Sequence, residues 1–422
     1  MGRPRQRPRP LGAGFWTLWT AGAVANLGDG VSYVAWPWLA GTLTRDPLAI
    51  AGLPVAARLP WLLLILPAGA LTDRVDRRRL MAAANAARFA VAALVGVAVL
   101  GGAMTLPLLY AAALLLGCGE VVYDNAALTI LPAVVDRGRL QRANATMWSA
   151  ELVAGTFLGP PLGGVLLGVG LAVPFLVDAG TFGVSAGLVL LLAGSFRARR
   201  PAGGPAARRS LRREVAEGVR WLWDHRLLRA LALLAGGIAL LMSMQYATFV
   251  LYAQEVLRLD ARGFGLLSTA TAAGAVLGGQ LAPTISRRIG QRAALLLAVA
   301  GLAPAYATVG LTASGALVAA AYVAEGFLIL LWNVITVSLR QQVVPEAVLG
   351  RVNGVYQLLV HGATPLGSLA GGALVAAAGA LAGRELGLRV PFLLTAAAMV
   401  ALLAVAARLV TAARIEAATP TS

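Results

Sequence analysis

The residues of this sequence that could do the most chemistry are acidic side chains set inside long apolar runs. A charged group within a hydrocarbon layer is expensive, and it is usually retained for a function. A desolvated carboxylate can take up and release a proton near neutral pH. The pattern therefore predicts groups that bind protons or a charged ligand inside a membrane. The six acids and two arginines in such runs are Asp29, Arg58, Arg88, Glu120, Asp124, Glu151, Asp178 and Glu325.

The depth of these acids follows from their position along each run, at about 1.5 Å per helical residue. Asp29 and Glu325 fall near the midplane of the membrane, whereas Glu120, Asp124 and Glu151 fall in its inner half. Glu120 and Asp124 are four residues apart and therefore share one helix face. These five acids are the candidate sites for a proton or a substrate.

Opposite charges at similar depth predict two neutral pairs, Asp29 with Arg58 and Asp124 with Arg88. Arg58 is then a charge partner or, alternatively, a ligand for an anion. Asp178 lies near the start of its run and is expected to be a structural or interfacial carboxylate. The acids left without a partner are Glu120, Glu151 and Glu325.

The composition excludes several other chemistries. All 35 basic residues are arginine, so no lysine is available for a phosphate-binding loop or a Schiff base. Cys118 is the single cysteine, and His225 and His361 are far apart, so no metal-ligand spacing occurs. We therefore expect no cofactor and no enzymatic activity. The formal charge of +17 does not indicate nucleic-acid binding, because the arginines flank apolar runs and form no basic domain.

The elements that must position the buried acids are membrane-spanning helices. The chain is 59% hydrophobic and 13% charged, against about 25% charged for an average globular domain. A helix needs about 20 apolar residues to cross a hydrocarbon core, and twelve runs reach that length. The predicted fold is an all-α membrane protein with twelve transmembrane helices. Its spans are 15–42, 48–71, 80–101, 105–130, 145–168, 173–195, 229–252, 263–286, 293–312, 315–338, 353–379 and 390–412.

The orientation follows from the arginines, because positively charged short loops stay in the cytoplasm. Even-numbered connections and both tails hold 28 arginines, whereas odd-numbered connections hold five. This bias predicts a multi-pass protein of the bacterial inner (plasma) membrane, with both termini in the cytoplasm.

The longest connection divides the chain into two six-helix halves, 1–196 and 229–422, joined by a cytoplasmic linker at 197–228. The linker starts as a Pro/Gly/Arg segment. It continues as an amphipathic stretch from Leu211 to Leu222, which is either an interfacial helix on lipid headgroups or a helix packed on the ends of the spans.

The two halves match each other at an offset near 209 residues. Leu140–Asn144 aligns with Leu349–Asn353, and a glycine group around Gly163 aligns with one around Gly371. Two halves of the same topology are typical of transporters with a binding site near the bilayer midplane. The pattern therefore predicts a pseudo-symmetric protein with two six-helix halves.

Taken together, these motifs resemble those of the major facilitator superfamily, over the whole chain. Gly69-Ala-Leu-Thr-Asp-Arg-Val-Asp-Arg-Arg-Arg79 resembles its signature loop between helices 2 and 3, with Asp76 at a place that is often glycine. Gly155-Thr-Phe-Leu-Gly-Pro-Pro-Leu-Gly-Gly164 resembles the helix-5 motif of its exporters. The wider pattern is similar to the branch of macrolide efflux pumps and the enterobactin exporter. The helix-4 arginine of other drug:proton antiporters has no match between Leu106 and Ile130.

The resemblance implies roles for two groups of residues. In the signature loop, Asp73 is expected to close the cytoplasmic face in one state only by meeting the N-terminal end of helix 11, and the loop arginines are gate partners or topology determinants. In helix 5, small residues and proline form a hinge or simply allow close packing. The implied gate residues are Gly69, Asp73, Arg74, Arg77 and Arg78, and the implied hinge or packing residues are Gly155, Gly159, Pro160, Gly163 and Gly164.

The expected function is secondary active transport. We expect a proton-coupled exporter of drugs or amphiphilic natural products that works by alternating access as a monomer. Its expected partners are the lipid bilayer, a small amphiphilic molecule and protons. The alternatives are an importer or uniporter of a small metabolite, and a membrane sensor that keeps the fold without transport.

Overall fold

The computed structural model describes residues 11–72, 74–136, 139–194, 196 and 211–418, and the regular structure in these ranges is helical. The helices of the first half of the chain are α1 (Gly12–Leu43), α2 (Pro47–Thr72), α3 (Arg77–Leu100), α4 (Leu106–Val134), α5 (Leu140–Glu151), α6 (Gly159–Val169) and α7 (Val173–Leu190). Those of the second half are α8 (Leu211–Asp224), α9 (Arg226–Tyr246), α10 (Phe249–Glu255), α11 (Ala261–Leu311), α12 (Gly315–Val343), α13 (Glu346–Ala382), α14 (Arg384–Leu409) and α15 (Ala412–Ala418).

The helices confirm the predicted all-α membrane fold. Ten segments of the described chain are long and apolar enough to cross a membrane. One of them, the 51-residue α11, covers two predicted spans, and its helical backbone is interrupted at Gly290, where φ is +82°. Glycine adopts this left-handed conformation without a steric penalty. The number of twelve spans stays a prediction.

The fifth predicted span is built from α5, a π-helical turn at Leu152–Leu158, and α6. The amide of Gly159 donates to the carbonyl of Ala154, five residues earlier. Pro160 and Pro161 follow directly, and neither can donate a backbone hydrogen bond. The wider turn lies where the prolines interrupt the usual ladder, and such turns often occur at functional positions.

By its internal packing the chain falls into two units. The first comprises Met1–Trp36 and Ala57–Arg200, and the second comprises Pro37–Ala56 and Pro201–Ser422. In the first unit α3 packs on α4 and α7. In the second, α11 packs on α12 and α14, and α13 packs on α9 and α14.

The internal repeat is visible in the packing of each unit. In the first unit, a side chain at Gly163 of α6 would meet the carbonyl oxygen of Val31 on α1. In the second, a side chain at Gly371 of α13 would meet the carbonyl oxygen of Met244 on α9. Matching glycines thus allow matching helix pairs to approach closely, as small residues do between membrane helices. This supports the packing role of the helix-5 glycines, and their hinge role stays a prediction.

The amphipathic helix of the linker, α8, packs on the start of α13. Glu217 accepts a hydrogen bond from Arg351 at 2.7 Å, and a Cβ at Gly218 would lie 2.8 Å from the Arg351 carbonyl oxygen. Leu222 is fully buried. This is the second of the two predicted placements. The Pro/Gly/Arg segment before it lies outside the described residues.

Candidate functional site

The first unit contains an ion pair between α1 and α3, in which the arginine is buried and the aspartate is partly exposed. Arg88 is 3% exposed, and its Nη2 donates to Oδ1 of Asp29 at 2.5 Å. The guanidinium also lies over the Phe182 ring of α7, 3.9 Å from its centroid. Because Arg88 is charged at any working pH, Asp29 supplies its counter-charge and Phe182 a second favourable contact.

A second acid of the first unit lies where α7 meets α1. Asp178 is 2% exposed, and its Oδ2 accepts a hydrogen bond from Ser32 at 2.5 Å, whereas its Oδ1 is buried without a hydrogen-bond partner. Gly28 makes the close approach possible, because a side chain there would collide with Asp178 and Thr181. The sequence places Asp178 near the start of a span but gives no sign of this contact.

The predicted pairing of the charges was wrong. Arg88 pairs with Asp29 rather than with Asp124. Nη1 of Arg58 lies 3.9 Å from Oε1 of Glu120, so Arg58 pairs with Glu120 rather than with Asp29. Counting along a helix gives the height of a residue but not the direction in which it points around the helix axis. Glu120 therefore has a partner, although both side chains of that pair are well exposed, at 37% for Glu120 and 51% for Arg58.

The remaining acids of the first unit lie on α4 and at the end of α5. Asp124 lies on α4, four residues after Glu120, and is partly buried. Glu151 ends α5 and is exposed, directly before the π-helical turn. The structure thus brings Asp29 and Arg88 into one ion pair and leaves Asp124 and Glu151 outside it.

The second unit contains a buried acid that accepts a hydrogen bond from a tyrosine hydroxyl group. Glu325 of α12 is 2% exposed and accepts a hydrogen bond from the Tyr306 hydroxyl of α11 at 2.5 Å. No arginine of the described chain lies within ion-pair distance of Glu325. Tyr306 was not among the sequence candidates, since a tyrosine in an apolar span carries no signal of its partner.

A second buried polar contact of this unit joins α12 to α9. The Tyr322 hydroxyl donates to Oε1 of Gln245 at 3.4 Å, and Nε2 of Gln245 is buried without a partner. Gln245 is fully buried on α9. A buried donor without a partner is costly and often marks a functional position. The second unit thus contains a buried acid without an ionic partner and a buried amide side chain.

The signature loop is held by backbone contacts. Asp76 caps α3 and accepts hydrogen bonds from the amides of Arg79 at 3.2 Å and Phe196 at 3.0 Å. Burial alone would raise the pKa of Asp76, but these two bonds and the charges of Arg78 and Arg79 lower it below its usual value. The aspartate at a place that is often glycine therefore has a capping role.

The structure describes four of the five predicted gate residues. Arg77 donates to the carbonyl of Thr129 at 2.9 Å, and Arg78 to that of Leu192 at 2.7 Å. Arg74 is exposed, and Gly69 lies within α2. Asp73 lies outside the described residues. The gate function of the five residues stays a prediction.

The comparisons with known proteins decide the family. The model of a major facilitator family described as transmembrane secretion effector matches residues 10–419. The chain belongs to the major facilitator superfamily. This transporter is 30% identical over 395 residues to the multidrug efflux pump Tap of Mycolicibacterium fortuitum, across 89% of this chain and 92% of the pump. It is 31% identical over 237 residues to the enterobactin exporter EntS of Citrobacter koseri, across 55% of this chain and 54% of the exporter.

A solved structure supports the fold of the transporter independently. A bacterial homologue of the iron transporter ferroportin, in an inward-facing state, aligns with a TM-score of 0.71 at 17% identity, across 94% of this chain and 98% of the homologue. The predicted family, the resemblance to the efflux and enterobactin-exporter branch, and the assignment as a transporter rather than an enzyme are confirmed.

Proposed function

We propose that this major facilitator transporter exports amphiphilic compounds, such as drugs or hydrophobic natural products, in exchange for protons by alternating access. Its similarity to a multidrug efflux pump over 92% of that pump supports export of such compounds. The arginine bias supports a place in the plasma membrane with both termini in the cytoplasm. We propose that it works as a monomer.

The proton-coupling proposal rests on Glu325, which is buried and has no ionic partner among the described residues. Burying an ionised carboxylate without a counter-ion is costly, so such a group is stable there as a neutral acid. The Tyr306 hydroxyl can hydrogen-bond either form of the carboxyl group. A change of helix packing that hydrates Glu325 would let it ionise and release its proton. Asp29 differs, because Arg88 already neutralises it.

The test uses inverted membrane vesicles that contain the transporter, with ethidium and tetracycline as probes. An acidic interior should drive accumulation of a probe, and accumulation should stop when the gradient is collapsed. Glu325→Gln keeps the size and hydrogen-bonding capacity of the side chain but cannot exchange a proton. We expect gradient-driven uptake to fall by about two orders of magnitude, which is within the range for loss of a proton-transferring group, while exchange of labelled for unlabelled probe continues.

The matched control is Glu385→Gln, because that side chain is 70% exposed. It should leave both rates unchanged. Uptake that does not depend on the gradient in the unmodified protein would refute proton antiport. If Glu325→Gln took up the probe at the rate of the unmodified protein, Glu325 would not be the proton carrier.

A further inference from the structure

A cavity lined by three arginines lies where α9 begins and α14 ends. It has a volume of about 320 Å³. The arginines come from the first turn of α9 and from α15, and apolar residues of α9 and α14 complete the walls. The arginine bias predicts that this end of the helices faces the cytoplasm. The lining residues are Arg226, Arg229, Ala230, Leu233, Leu409 and Arg414.

We propose that this cavity binds the phosphate headgroup of an anionic phospholipid from the cytoplasmic leaflet. Basic pockets between membrane helices on this side suit such headgroups. The proposal concerns a lipid site that is separate from the buried acids and independent of the transported compound.

The charge of the cavity favours an anion. None of the three arginines forms an ion pair with a carboxylate of the described residues. Arg229 donates one hydrogen bond, to the Trp223 carbonyl at 2.9 Å, and Arg414 donates one, to the Leu409 carbonyl at 2.6 Å. A guanidinium has five donors, so each retains several for a phosphate. Phosphate oxygens accept such bonds in pairs.

The start of α9 adds to this attraction. The residue before it, His225, makes no capping hydrogen bond with its side chain. The first amides of a helix point outward and carry a partial positive charge. This partial charge has the same sign as the charges of Arg226 and Arg229, which line the cavity from the same turn of α9.

The apolar walls favour a lipid over a water-soluble anion. Leu233 lies seven residues after Arg226 on α9, which corresponds to about 10 Å along the helix, and it is 48% exposed. The lining therefore changes from arginine to leucine over the distance between a headgroup and the first part of an acyl chain. Trp223, which is 46% exposed, lies beside the arginines, and tryptophan is enriched at this membrane depth.

The experiment is native mass spectrometry of the full-length protein, purified in detergent, stripped of lipid and titrated with phosphatidylglycerol or phosphatidylethanolamine. The charged lipid should bind more tightly. Each arginine should contribute about fivefold to the affinity for phosphatidylglycerol, and the triple variant Arg226→Gln, Arg229→Gln, Arg414→Gln should lose roughly 100-fold. Arg226→Gln alone tests the proposal with little risk to folding, because Arg226 is exposed.

A control removes the same charge elsewhere. Arg142, Arg287 and Arg288 are exposed residues of other predicted cytoplasmic connections and do not line the cavity. Their triple change to glutamine should alter the affinity less than twofold. Equal loss in both triple variants would overturn the proposal, because the lipid would then respond only to net charge. Displacement of the lipid by millimolar inorganic phosphate would overturn the lipid assignment and identify a site for a soluble anion.

Discussion

At the scale of single residues, the two acids at the predicted midplane depth are stabilised by different means. Asp29 is held by the charge of Arg88, whereas Glu325 is held by a hydrogen bond from the neutral hydroxyl group of Tyr306. Removal of an ion-pair partner leaves a buried charge, but removal of a hydroxyl partner leaves an acid that can remain neutral. The first acid therefore suits a structural or ligand-binding role, and the second suits proton exchange.

The ion pair leads to a stability prediction. Arg88→Gln should destabilise the protein by about 2 kcal/mol, below the 3–5 kcal/mol typical of fully buried pairs, because the Asp29 side chain is 41% exposed. Adding Asp29→Asn should recover part of this loss, since no unpaired charge then remains. The measurement is the apparent melting temperature in detergent. Arg58→Gln is the control, because the Arg58 side chain is 51% exposed and its Nη1 lies 3.9 Å from Oε1 of Glu120. If Arg58→Gln lowered the melting temperature as much as Arg88→Gln, the Asp29–Arg88 pair would contribute no more to stability than an exposed pair.

The sequence was informative about the buried acids and much less so about their partners. A charge in an apolar run is conspicuous, and so Asp29 and Glu325 could be found by inspection. Their partners depend on which way each helix faces, and this is why Arg58 and Arg88 were assigned to the wrong acids. The contacts of Asp178 with Ser32 and of Tyr306 with Glu325 could not be predicted, because each joins two different helices and depends on how those helices face each other.

At the scale of helices, glycine positions determine which helix pairs can touch. Gly163 and Gly371 lie against backbone oxygens of α1 and α9. Their common spacing in the two halves could be read from the sequence, because it follows the repeat. The helices that these glycines contact could not be predicted from the sequence, because a glycine has no side chain whose chemistry would indicate its neighbour. For the π-helical turn before Gly159, Pro160 and Pro161 predict only that backbone hydrogen bonds are lost in this part of the helix. They do not predict the type of turn.

Two glycines of α13 provide a matched test of this packing. Gly371→Ala would place a methyl group against the Met244 carbonyl, so we expect a loss of about 1–3 kcal/mol. Gly362→Ala on the same helix has open space around it, and it should be neutral or stabilising by up to about 1 kcal/mol. Thermal unfolding in detergent measures both. Equal stability of the two variants would show that α9 and α13 do not depend on this contact.

At the scale of the whole molecule, two helices of the first half of the sequence contribute to both packing units, and the predicted boundaries of the halves stay a prediction. Residues 37–56, which end α1 and begin α2, belong to the second unit. Within that unit, Arg384 donates two hydrogen bonds to Glu255, at 2.9 and 3.0 Å, and one to the carbonyl of Arg45 at 2.8 Å. The composition and the charge pattern of the sequence do not predict these hydrogen bonds, because they do not show which connections lie next to each other. Both α1 and α2 therefore pass from one unit to the other.

The passage of α1 between units occurs next to Pro37, a proline inside the helix. Proline in a helix interior removes a hydrogen bond and costs about 3 kcal/mol relative to alanine, which leaves a bendable point. If the units move during alternating access, Pro37→Ala should stiffen α1, raise the melting temperature and slow probe uptake severalfold in inverted vesicles without weakening probe binding. Pro304→Ala is the control, because Pro304 lies inside α11 within one unit. Unchanged uptake by Pro37→Ala, or equal slowing by both variants, would exclude a special role for bending at this boundary.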